Sequence, residues 1–391
     1  MGELRGEKTL ALVPDIIRLY PARGLEIIRG SAQYVWDSRG AKYLDFHTGH
    51  GVAFLGHNNP LVVGEIKKQL DEIIVLSPAF DTPARRKALE AIGSIIPPGL
   101  DAVYLLNSGA EAVEMALKIA RLYTGKEKIV SFKGGFHGRT AGALSVTWNP
   151  RYRAALGLEI PGVVFGEINN AESLDLINDD TAAVIIEPVQ GEAGIIPVEP
   201  WFLKSLEKAC RKNKCLLLID EIQSGFGRTG RLWAYLESGV EPDILLAGKS
   251  IGGGIPVSVV MTKKKYVEEL PSGWHGSTYG FNPLASIAVY AGIKAYHEDD
   301  AEKKARERGK EIHDVLTDKL RNNALVRDIR VRGLMIGVEL RKTPGRALRC
   351  LQEHRVLALK AGATTVRFLP PYMISSNDID WSVSALRDCL Q

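Results

Sequence analysis

Residues 200–220, PWFLKSLEKACRKNKCLLLID, decide the fold class because they place a helix directly before a strand. Pro200 opens a helical pattern that continues to Asn213, and proline is favoured in the first turn of a helix. Residues 215–220 then form an unbroken apolar run without the alternation of a half-exposed strand. Strands covered on both faces have this pattern, which is typical of parallel sheets. The stretch therefore predicts one α/β unit that ends in a carboxylate, Asp220.

The same alternation extends through the middle of the chain. Further short apolar runs lie at 103–107, 128–132, 182–187, 243–248 and 257–261. A helix with apolar residues at i, i+3, i+4 and i+7 follows Ser108. This order of strands and helices predicts a mostly parallel central sheet in a large α/β domain, which we place at residues 49–290.

The chain after about residue 290 has a different pattern. It predicts a long, charged amphipathic helix at 299–323, a half-exposed strand at 329–341, and a further strand within TVRFLPPYMI, residues 365–374. These elements predict a smaller α+β domain at residues 291–391. A hairpin at 33–46, with its turn at Ser38-Arg39-Gly40, fits either domain, and we assign residues 1–48 to the smaller one.

The composition excludes several classes of protein. The 391 residues are 45% apolar and 25% charged, as in ordinary globular proteins. The net charge of +4 is too small to indicate nucleic-acid binding, although it favours an acidic partner. No stretch approaches the roughly 18 apolar residues of a membrane span. The N-terminus lacks the apolar core and cleavage site of a signal peptide.

The cysteines indicate a compartment. Cys210, Cys215, Cys350 and Cys389 show no paired metal spacing, and Cys210 and Cys215, five residues apart, fit neither CxxC nor a disulfide framework. We therefore expect a reducing compartment, the cytoplasm.

Two predicted strand ends carry groups that would bind an anion and a cation. The turn Ser108-Gly109-Ala110 presents free backbone N–H groups, which suit a phosphate. A capping box between Ser108 and Glu111 explains the same residues structurally. Asp220 needs a cationic partner or hydrogen bonds, because it ends an apolar run. An N-cap or a structural ion pair would also satisfy it.

A third strand end, DILLAGKSIGGGIP at 243–256, carries Lys249. A desolvated lysine has a lowered pKa and can attack an aldehyde. The competing interpretation is a surface lysine before a loop. We expect the glycines at 252–254 to let the backbone pass close to a bound group.

The three strand ends become informative together. Ligands of open α/β sheets bind beyond the carboxyl ends of the strands, so these groups are expected in one site. A phosphate site, a buried carboxylate and a lysine are what pyridoxal 5′-phosphate requires. Gly225, Gly227 and Gly230 also match GxGxxG, which would indicate an NAD-dependent dehydrogenase. We discount this match because DEIQS separates it from the strand and no long helix follows.

Several motifs resemble the class III aminotransferases of the acetylornithine and ornithine aminotransferase group. They are NSGAEAVEMALKIAR, GGFHGRTAGALS, IIEPVQGEAG, LLIDEIQSGFGRTG, PDILLAGKSIGGGIP, HGSTYGFNPLA and VRFLPPYMI. The resemblance covers nearly the whole chain, from about Tyr34 to Ile374. It implies the fold type I of pyridoxal-phosphate enzymes and a homodimer with active sites at the subunit interface.

The resemblance also implies the residues that hold the cofactor. Lys249 would form the imine with it, Asp220 would keep the pyridine nitrogen protonated, and Gln223 would reach the phenolic oxygen. Phe136 would stack on the ring. The phosphate would be bound by Ser108, Gly109 and Ala110 and, from the other subunit, by Thr278.

Substrate-binding residues are implied in the same way. Arg139 would bind the carboxylate distant from the reacting amine. Arg367 would bind the α-carboxylate of 2-oxoglutarate or glutamate, and Glu192 would neutralise Arg367 while the other substrate is bound. Structural salt bridges are the alternative for both arginines. Ser277 is a further substrate-binding candidate. Tyr20 is another, because of its spacing to Tyr34.

The substrate is the least determined part of the prediction. ALSVTWNPRYR and EHRVLALKAGATTVRFLPP most resemble the branch that acts on lysine or ornithine attached to a small acidic carrier protein, LysW, in lysine and arginine biosynthesis. Basic residues at 263–265, or Arg151 and Arg153, would form a rim for that carrier. An acetylornithine or ornithine aminotransferase, a glutamate-1-semialdehyde aminomutase and a non-catalytic binding protein remain alternatives.

Overall fold

The computed structural model describes residues 15–153 and 157–391. Residues 1–14 lie outside the described residues, and so does the expectation about a signal peptide, which concerns them. The N-terminal part contains, in chain order, β1 (Ile27–Ser31), β2 (Tyr34–Asp37), β3 (Lys42–Asp45), α1 (Thr48–Gly51), α2 (Pro60–Leu70) and α3 (Pro83–Gly93). The predicted hairpin at 33–46 is confirmed, since β2 and β3 pair in antiparallel orientation.

The middle of the chain forms the largest sheet. Its elements are β4 (Ala102–Leu106), α4 (Gly109–Thr124), β5 (Lys128–Phe132), α5 (Ala141–Ser145), α6 (Pro150–Arg153), β6 (Val163–Gly166), β7 (Thr181–Ile186), β8 (Val189–Gln190), α7 (Gly191–Gly194), β9 (Ile196–Pro197), α8 (Pro200–Asn213), β10 (Leu216–Asp220), β11 (Ile244–Ala247), β12 (Ser258–Thr262) and α9 (Pro283–Glu298). Short 3₁₀ helices lie at Ala171–Leu176, Ala234–Ser238, Lys249–Gly252 and Lys264–Tyr266.

The C-terminal part consists of three α-helices and five strands. Its elements are α10 (Ala301–Leu320), β13 (Val326–Arg332), β14 (Met335–Leu340), α11 (Gly345–Glu353), β15 (Val356–Leu357), β16 (Leu359–Ala361), β17 (Thr365–Phe368) and α12 (Ser376–Cys389). The single strand predicted at 329–341 is wrong. The segment folds back at Gly333, whose φ of +54° is left-handed, and becomes the antiparallel hairpin β13–β14.

The central sheet is mostly parallel, as predicted. Its strand order is β4-β12-β11-β10-β7-β5-β6, and β12 runs antiparallel to both of its neighbours. The pairs β11–β10, β10–β7, β7–β5 and β5–β6 are parallel. In β10, Leu217 and Ile219 pack into one hydrophobic cluster and Leu216 and Leu218 into another. Burial on both faces explains the unbroken apolar run that the sequence shows there.

Besides the short pair β8–β9, the described residues form two four-stranded sheets. One has the order β1-β2-β3-β15, so the C-terminal strand β15 pairs in parallel with the N-terminal strand β3. The other has the order β13-β14-β17-β16. The division into domains stays a prediction, and its boundary at 290 falls inside α9. Within residues 15–153 and 157–391, no helix is long and apolar enough to cross a membrane.

Disulfides are rare in a reducing compartment, yet two of the four cysteines are paired. Cys350, on α11, and Cys389, at the end of α12, form a disulfide with Cα atoms 5.6 Å apart. Cys210 and Cys215 are free and buried. The pairing escapes sequence reasoning because 39 residues separate the two cysteines and only the packing of α11 on α12 brings them together.

Candidate active site

The strand ends that the sequence selects lie at one edge of the central sheet. Ser108 follows β4, Asp220 ends β10 and Lys249 follows β11, and these strands point in the same direction. Because β12 is reversed, it starts at this edge, where Ser258 pairs with Leu106. The hydroxyl of Ser258 donates to the carbonyl of Ser108 at 2.7 Å and ties the two together.

Lys249 has the environment expected of a nucleophilic amine. Its backbone is left-handed, with φ of +46°, which is uncommon outside glycine. Burial lowers the pKa of its amine, and Arg367 lowers it further, whereas Glu192 raises it. In the described part of the chain, no carboxylate forms an ion pair with Lys249, since Glu192 is bound to Arg367 instead. A lowered pKa favours the neutral, reactive amine.

The glycines after Lys249 meet requirements of packing and backbone conformation. A Cβ on Gly252 would lie 2.5 Å from Cγ1 of Val257, and one on Gly253 would lie 2.9 Å from the Val62 side chain. Gly253 and Gly254 also have φ values of +56° and +113°. Passage of this backbone close to a bound group, expected from the sequence, stays a prediction.

Asp220 is part of a buried network that the sequence did not predict. Its Oδ2 lies 2.7 Å from Nδ1 of His137, and its Oδ1 accepts from the Ile222 N–H at 3.0 Å. Burial lowers the pKa of His137, but the hydrogen bond and charge of Asp220 outweigh burial and raise it. Burial raises the pKa of Glu187 to about 7, and its carboxylate accepts from the Phe136 N–H at 2.8 Å. Asp220 is thus held by His137 and by a backbone N–H within a closed interior.

The first turn of α4 forms an anion-binding cradle. Ser108 caps the helix by accepting from the Glu111 N–H, whereas Glu111 accepts from the Asn107 N–H, so the predicted capping box is only half formed. The N–H groups of Gly109 and Ala110 are the first of the helix and have no acceptor within it. A Cβ on Gly109 would lie 2.8 Å from Cδ1 of Ile222, two residues after Asp220. The cradle therefore packs against the segment that bears the carboxylate.

Arg367 is on β17, in the separate sheet β13-β14-β17-β16, and it contacts Gln223, three residues after Asp220. It is fully buried, and its Nη2 lies 2.7 Å from Oε1 of Glu192, whose side chain is 31% exposed. Its Nη1 donates to Oε1 of Gln223 at 3.2 Å. Burial raises the pKa of Glu192, but the charge and hydrogen bond of Arg367 outweigh burial and lower it. The pair combines a fixed arginine with a carboxylate that partly faces solvent.

Arg139 and Phe136 belong to the segment that bears His137, the partner of Asp220. The guanidinium carbon of Arg139 is 3.7 Å from the centre of the Tyr152 ring and 6.0 Å from that of Phe136. Arg139 is exposed and, among the residues that the structure describes, has no carboxylate partner. Stacking on Tyr152 orients its planar donors and leaves them available to a carboxylate.

The remaining candidates are Tyr20, Ser277 and Thr278. The Tyr20 ring is 5.7 Å from the ring of His50. Burial lowers the pKa of His50, and the charges of Arg367 and Lys249 lower it further. Ser277 accepts from the Asn107 side chain at 3.5 Å, close to the α4 cradle. Thr278 is exposed, and its assignment to the phosphate site of a partner subunit stays a prediction.

Sequence reasoning missed three residues at this site: His137, Glu187 and His50. His137 lies in the quoted motif GGFHGRT and Glu187 ends the apolar run 182–187, so their positions carried a signal that was not used. For His50 we find no such signal, because it lies in a short segment with left-handed residues that no periodicity predicts.

The basic rim predicted at 263–265 is wrong. These lysines follow β12, which ends where Thr262 pairs with Ile244, the first residue of β11. They therefore lie at the opposite edge of the sheet from Lys249. Lys263 is also bound to Asp243 at 2.9 Å. Of the other rim candidates, Arg153 lies against Phe165, whereas Arg151 is exposed beside the Tyr152 that stacks on Arg139.

The observed residues fit pyridoxal 5′-phosphate. The group requires a nucleophilic amine, a carboxylate for its ring nitrogen and N–H donors for its phosphate. Lys249, Asp220 and the start of α4 supply these at one sheet edge. The close packing of Gly109 on Ile222, which a Cβ would prevent, holds the phosphate donors next to Asp220.

Comparisons with known proteins agree with this geometry. The family model of aminotransferase class III matches residues 20–390. The LysW-aminoadipate semialdehyde/glutamate semialdehyde transaminase of Sulfolobus acidocaldarius is 49% identical over 96% of this chain and 97% of its own length. The acetylornithine aminotransferase of Bacillus cereus is 36% identical over 96% and 97%. The ornithine aminotransferase structure from Toxoplasma gondii superposes with a TM-score of 0.91 at 30% identity, over 96% of this chain and 91% of that one.

Proposed function

The chain belongs to the class III aminotransferases, and from that premise we propose that it aminates LysW-linked aminoadipate semialdehyde or glutamate semialdehyde. The products would be LysW-linked lysine and ornithine, intermediates of lysine and arginine biosynthesis. Glutamate would donate the amino group and become 2-oxoglutarate. The relative at 49% identity is named for these two carrier-linked substrates, which supports the proposal.

The pair of Arg367 and Glu192 is the observation that carries the transaminase reaction. In one half-reaction, such an aminotransferase must bind the α-carboxylate of glutamate. In the other half-reaction, it must bind a substrate that has no carboxylate at that position. A fully buried arginine with a partly exposed carboxylate at 2.7 Å suits this alternation, because the carboxylate neutralises Arg367 and can leave it. An aminomutase, which uses no 2-oxoglutarate, has no need for such a pair.

Pyridoxal 5′-phosphate, when bound, supplies the electron sink that stabilises negative charge on the substrate carbon. Lys249 would move a proton to and from that carbon through its Nζ, a general acid–base step typically worth about 10²–10⁴-fold. Asp220 would hold a proton at the ring nitrogen, with His137 holding Asp220 in place. Gly109 and Ala110 would bind the phosphate, and Phe136 would cover the ring face.

Arg139 would bind a carboxylate of the carrier-linked substrate. Its exposure and its stacking on Tyr152 support this role. Arg151 is the rim residue that remains available to steer an acidic carrier. Tyr20, His50 and Ser277 would line the opening through which the substrate reaches Lys249.

A homodimer is part of the proposal. Large apolar side chains are exposed in one stretch, at Leu70, Ile73, Ile74, Val75 and Phe80, which favours an interface with a second subunit. Thr278 would then complete the phosphate site of the partner subunit. A cytoplasmic location stays a prediction, and the Cys350–Cys389 disulfide removes its support from cysteine usage.

Kinetics with two amino donors would test the substrate. LysW-linked lysine should be preferred over N-acetylornithine, chiefly through kcat/KM. Its kcat/KM should also fall more steeply with added salt, because screening shortens to about 8 Å near physiological ionic strength. Equal efficiencies with equal salt responses would favour the acetylornithine aminotransferase alternative.

Two charge variants would localise the carrier. Arg151→Gln should lower kcat/KM for the LysW-linked donor and weaken its salt dependence, with little change for N-acetylornithine. Lys264→Gln is the matched control, since it removes an exposed positive charge at the opposite sheet edge. Equal losses in both variants would indicate that net charge, rather than a rim at the opening, attracts the carrier.

A further inference from the structure

Arg228 is a fully buried arginine in the GFGRTG segment, the glycine pattern that does not bind a dinucleotide. Its Nη2 donates to the Gly51 carbonyl at 2.9 Å, and its Nη1 donates to the carbonyls of Pro370 and Leu334. The guanidinium carbon lies 4.7 Å from the centre of the Phe54 ring. In the described part of the chain, no carboxylate pairs with it. A buried charge without a counter-ion is expensive, so these carbonyls must hold it in place.

The glycines around Arg228 explain how its segment reaches this position. A Cβ on Gly227 would lie 2.6 Å from the Tyr296 ring, and Gly227 has a left-handed φ of +83°. A Cβ on Gly230 would lie 3.1 Å from the backbone of Arg306. The glycine pattern thus lets the loop pass under α9 and α10, which is a packing role unrelated to phosphate binding.

The three carbonyls belong to chain segments that carry the two halves of the active site. The Gly51 carbonyl also accepts from the Ser250 hydroxyl at 3.2 Å, and Ser250 directly follows Lys249. Pro370 lies three residues after Arg367. Leu334 lies in the turn before β14, which pairs with β17 where Gly337 faces Arg367.

The backbone of Arg228 adds a fourth connection. Its carbonyl accepts from the Leu334 N–H at 2.8 Å, so Arg228 grips the β13–β14 turn from both its main chain and its side chain. Burial lowers the pKa of Arg228 to about 9, which leaves the guanidinium charged near neutral pH. A charged, planar fork with several donors can serve three carbonyls at once, which the ammonium of lysine cannot do with the same geometry.

We propose that Arg228 is a positioning residue that fixes Arg367 relative to Lys249, and hence the α-carboxylate of glutamate or 2-oxoglutarate relative to the reacting amine. It does so through the carbonyls of Pro370, Leu334 and Gly51, without touching the substrate. The proposal rests on the proposed function, because it takes Arg367 as the residue that binds the α-carboxylate.

The variant Arg228→Lys keeps the charge and removes the fork. We expect KM for 2-oxoglutarate, and the apparent Kd for glutamate in the isolated half-reaction, to rise about tenfold or more, since small misplacements have large kinetic effects. Values are taken per active site, counted from the absorbance of bound cofactor. KM for the other amino donor should change much less. In cofactor-free protein, amide exchange of residues 49–54 should become faster.

Arg121→Lys is the matched control. Arg121 also donates to two backbone carbonyls, those of Glu127 and Pro161, but on the surface away from the site. It should leave both KM values unchanged. If Arg228→Lys does not fold, Ser250→Ala tests the same connection by removing one hydroxyl. It should raise KM for 2-oxoglutarate in the same direction, and its effect should not add to that of Arg228→Lys where both fold.

Two kinds of result would contradict the expectations above. Unchanged KM for 2-oxoglutarate per active site in Arg228→Lys, or in Ser250→Ala where only that variant folds, would overturn the proposal, even if the thermal midpoint falls. Failure of the unaltered protein to react with glutamate would instead count against the proposed function. A lack of preference for LysW-linked donors would affect neither the glutamate measurement nor this conclusion.

Discussion

Lys249 and Arg367 come from sheets of different construction. The edge that bears Lys249 is held by the strand ladder itself, where Asp220 pairs with Leu246 and Ala247 with Val259. The strand that bears Arg367 belongs to a separate sheet and reaches that edge through hydrogen bonds from Arg367 to Gln223 and Glu192 and through backbone contacts with α7. The comparison teaches that the groups for the chemistry are built into the sheet, whereas the groups for recognition are attached to it.

Individual hydrogen bonds attach the region around Arg367 to the rest of the site. The Gly362 N–H donates to the Glu192 carbonyl at 2.7 Å, and Nε of Arg330 donates to the Gly194 carbonyl at 2.9 Å. These contacts hold α7, with Glu192, against β13 and the turn between β16 and β17. Changes at the sheet edge should therefore affect every substrate, and changes in the attached region should affect one half-reaction.

The largest expected effect is that of Lys249→Ala. Turnover should fall by about 10⁴-fold or more with any amino donor, because the nucleophile and the proton carrier are lost together. Cofactor binding should persist in part through the α4 cradle, which can be measured by absorbance after dialysis. Lys263→Ala, at the other edge, is the control and should be active. Sustained turnover by Lys249→Ala would remove this lysine from the mechanism.

Asp220→Asn should have the next largest effect. The shape is kept, but the negative charge beside His137 is lost, and we expect the rate to fall about 10²–10³-fold in both half-reactions. Single-turnover rates with glutamate and with the second donor measure this, and circular dichroism checks the fold. A rate near that of the unaltered protein would make Asp220 a structural residue.

Glu192→Ala should affect the two half-reactions differently. Arg367 then lacks its neutralising partner, so the half-reaction with the LysW-linked donor should slow by about tenfold while the reaction with glutamate is kept or strengthened. Glu167→Gln, which removes an exposed ion pair with Lys133, is the control. Equal losses in both half-reactions would argue against alternation between Arg367 and its partners.

The disulfide belongs to the attached region, and its loss should affect stability more than rate. The loop closed by Cys350 and Cys389 contains β15, β16 and β17, and therefore Arg367. Replacing both cysteines by serine should lower the free energy of unfolding by about 4 kcal/mol on the chain-entropy estimate. Thermal midpoints measure this, and reductant should lower the midpoint of the unaltered protein only. Under denaturing conditions without reductant, thiol reagents should detect only Cys210 and Cys215; reaction at all four would contradict the bond.

The last effect concerns stability rather than rate, and it arises from pH at the sheet edge. Burial raises the pKa of Glu221 to about 8, and its carboxylate accepts from the Tyr235 N–H at 2.9 Å. Between the unfolded value of 4.5 and about 8, the folded state keeps a proton that the unfolded chain has lost. Stability should therefore fall as pH rises through this window, by about 1.4 kcal/mol per pH unit for this group. In Glu221→Gln, urea midpoints should depend less on pH; an unchanged slope would show that other groups set it.

The comparison also explains what the sequence could predict. Lys249, Asp220 and Ser108 were identifiable because unbroken apolar runs mark buried strands, and parallel strands bring their carboxyl ends to one edge. The resemblance to a family added Arg367 and Glu192. No local pattern would have placed them together, since 175 residues separate them.

The errors have physical causes as well. The direction of a strand is not visible in its composition, so the reversal of β12 moved the lysines at 263–265 to the wrong edge. The turn at Gly333 was hidden because β13 and β14 share an alternating pattern, and one left-handed glycine divides them. His137 was overlooked because its partner, Asp220, is 83 residues away.

The reversal of β12 also bears on how Lys249 is tethered. A parallel strand after β11 would need a crossover of a dozen or more residues, usually with a helix. Because β12 runs the other way, segment 248–257 returns directly to the neighbouring strand. Closing a loop of this size costs only about 2 kcal/mol of chain entropy. Lys249 lies two residues from β11 and nine from β12, so a change in loop length beyond Gly254 would be absorbed on the β12 side, and the amine would keep its place.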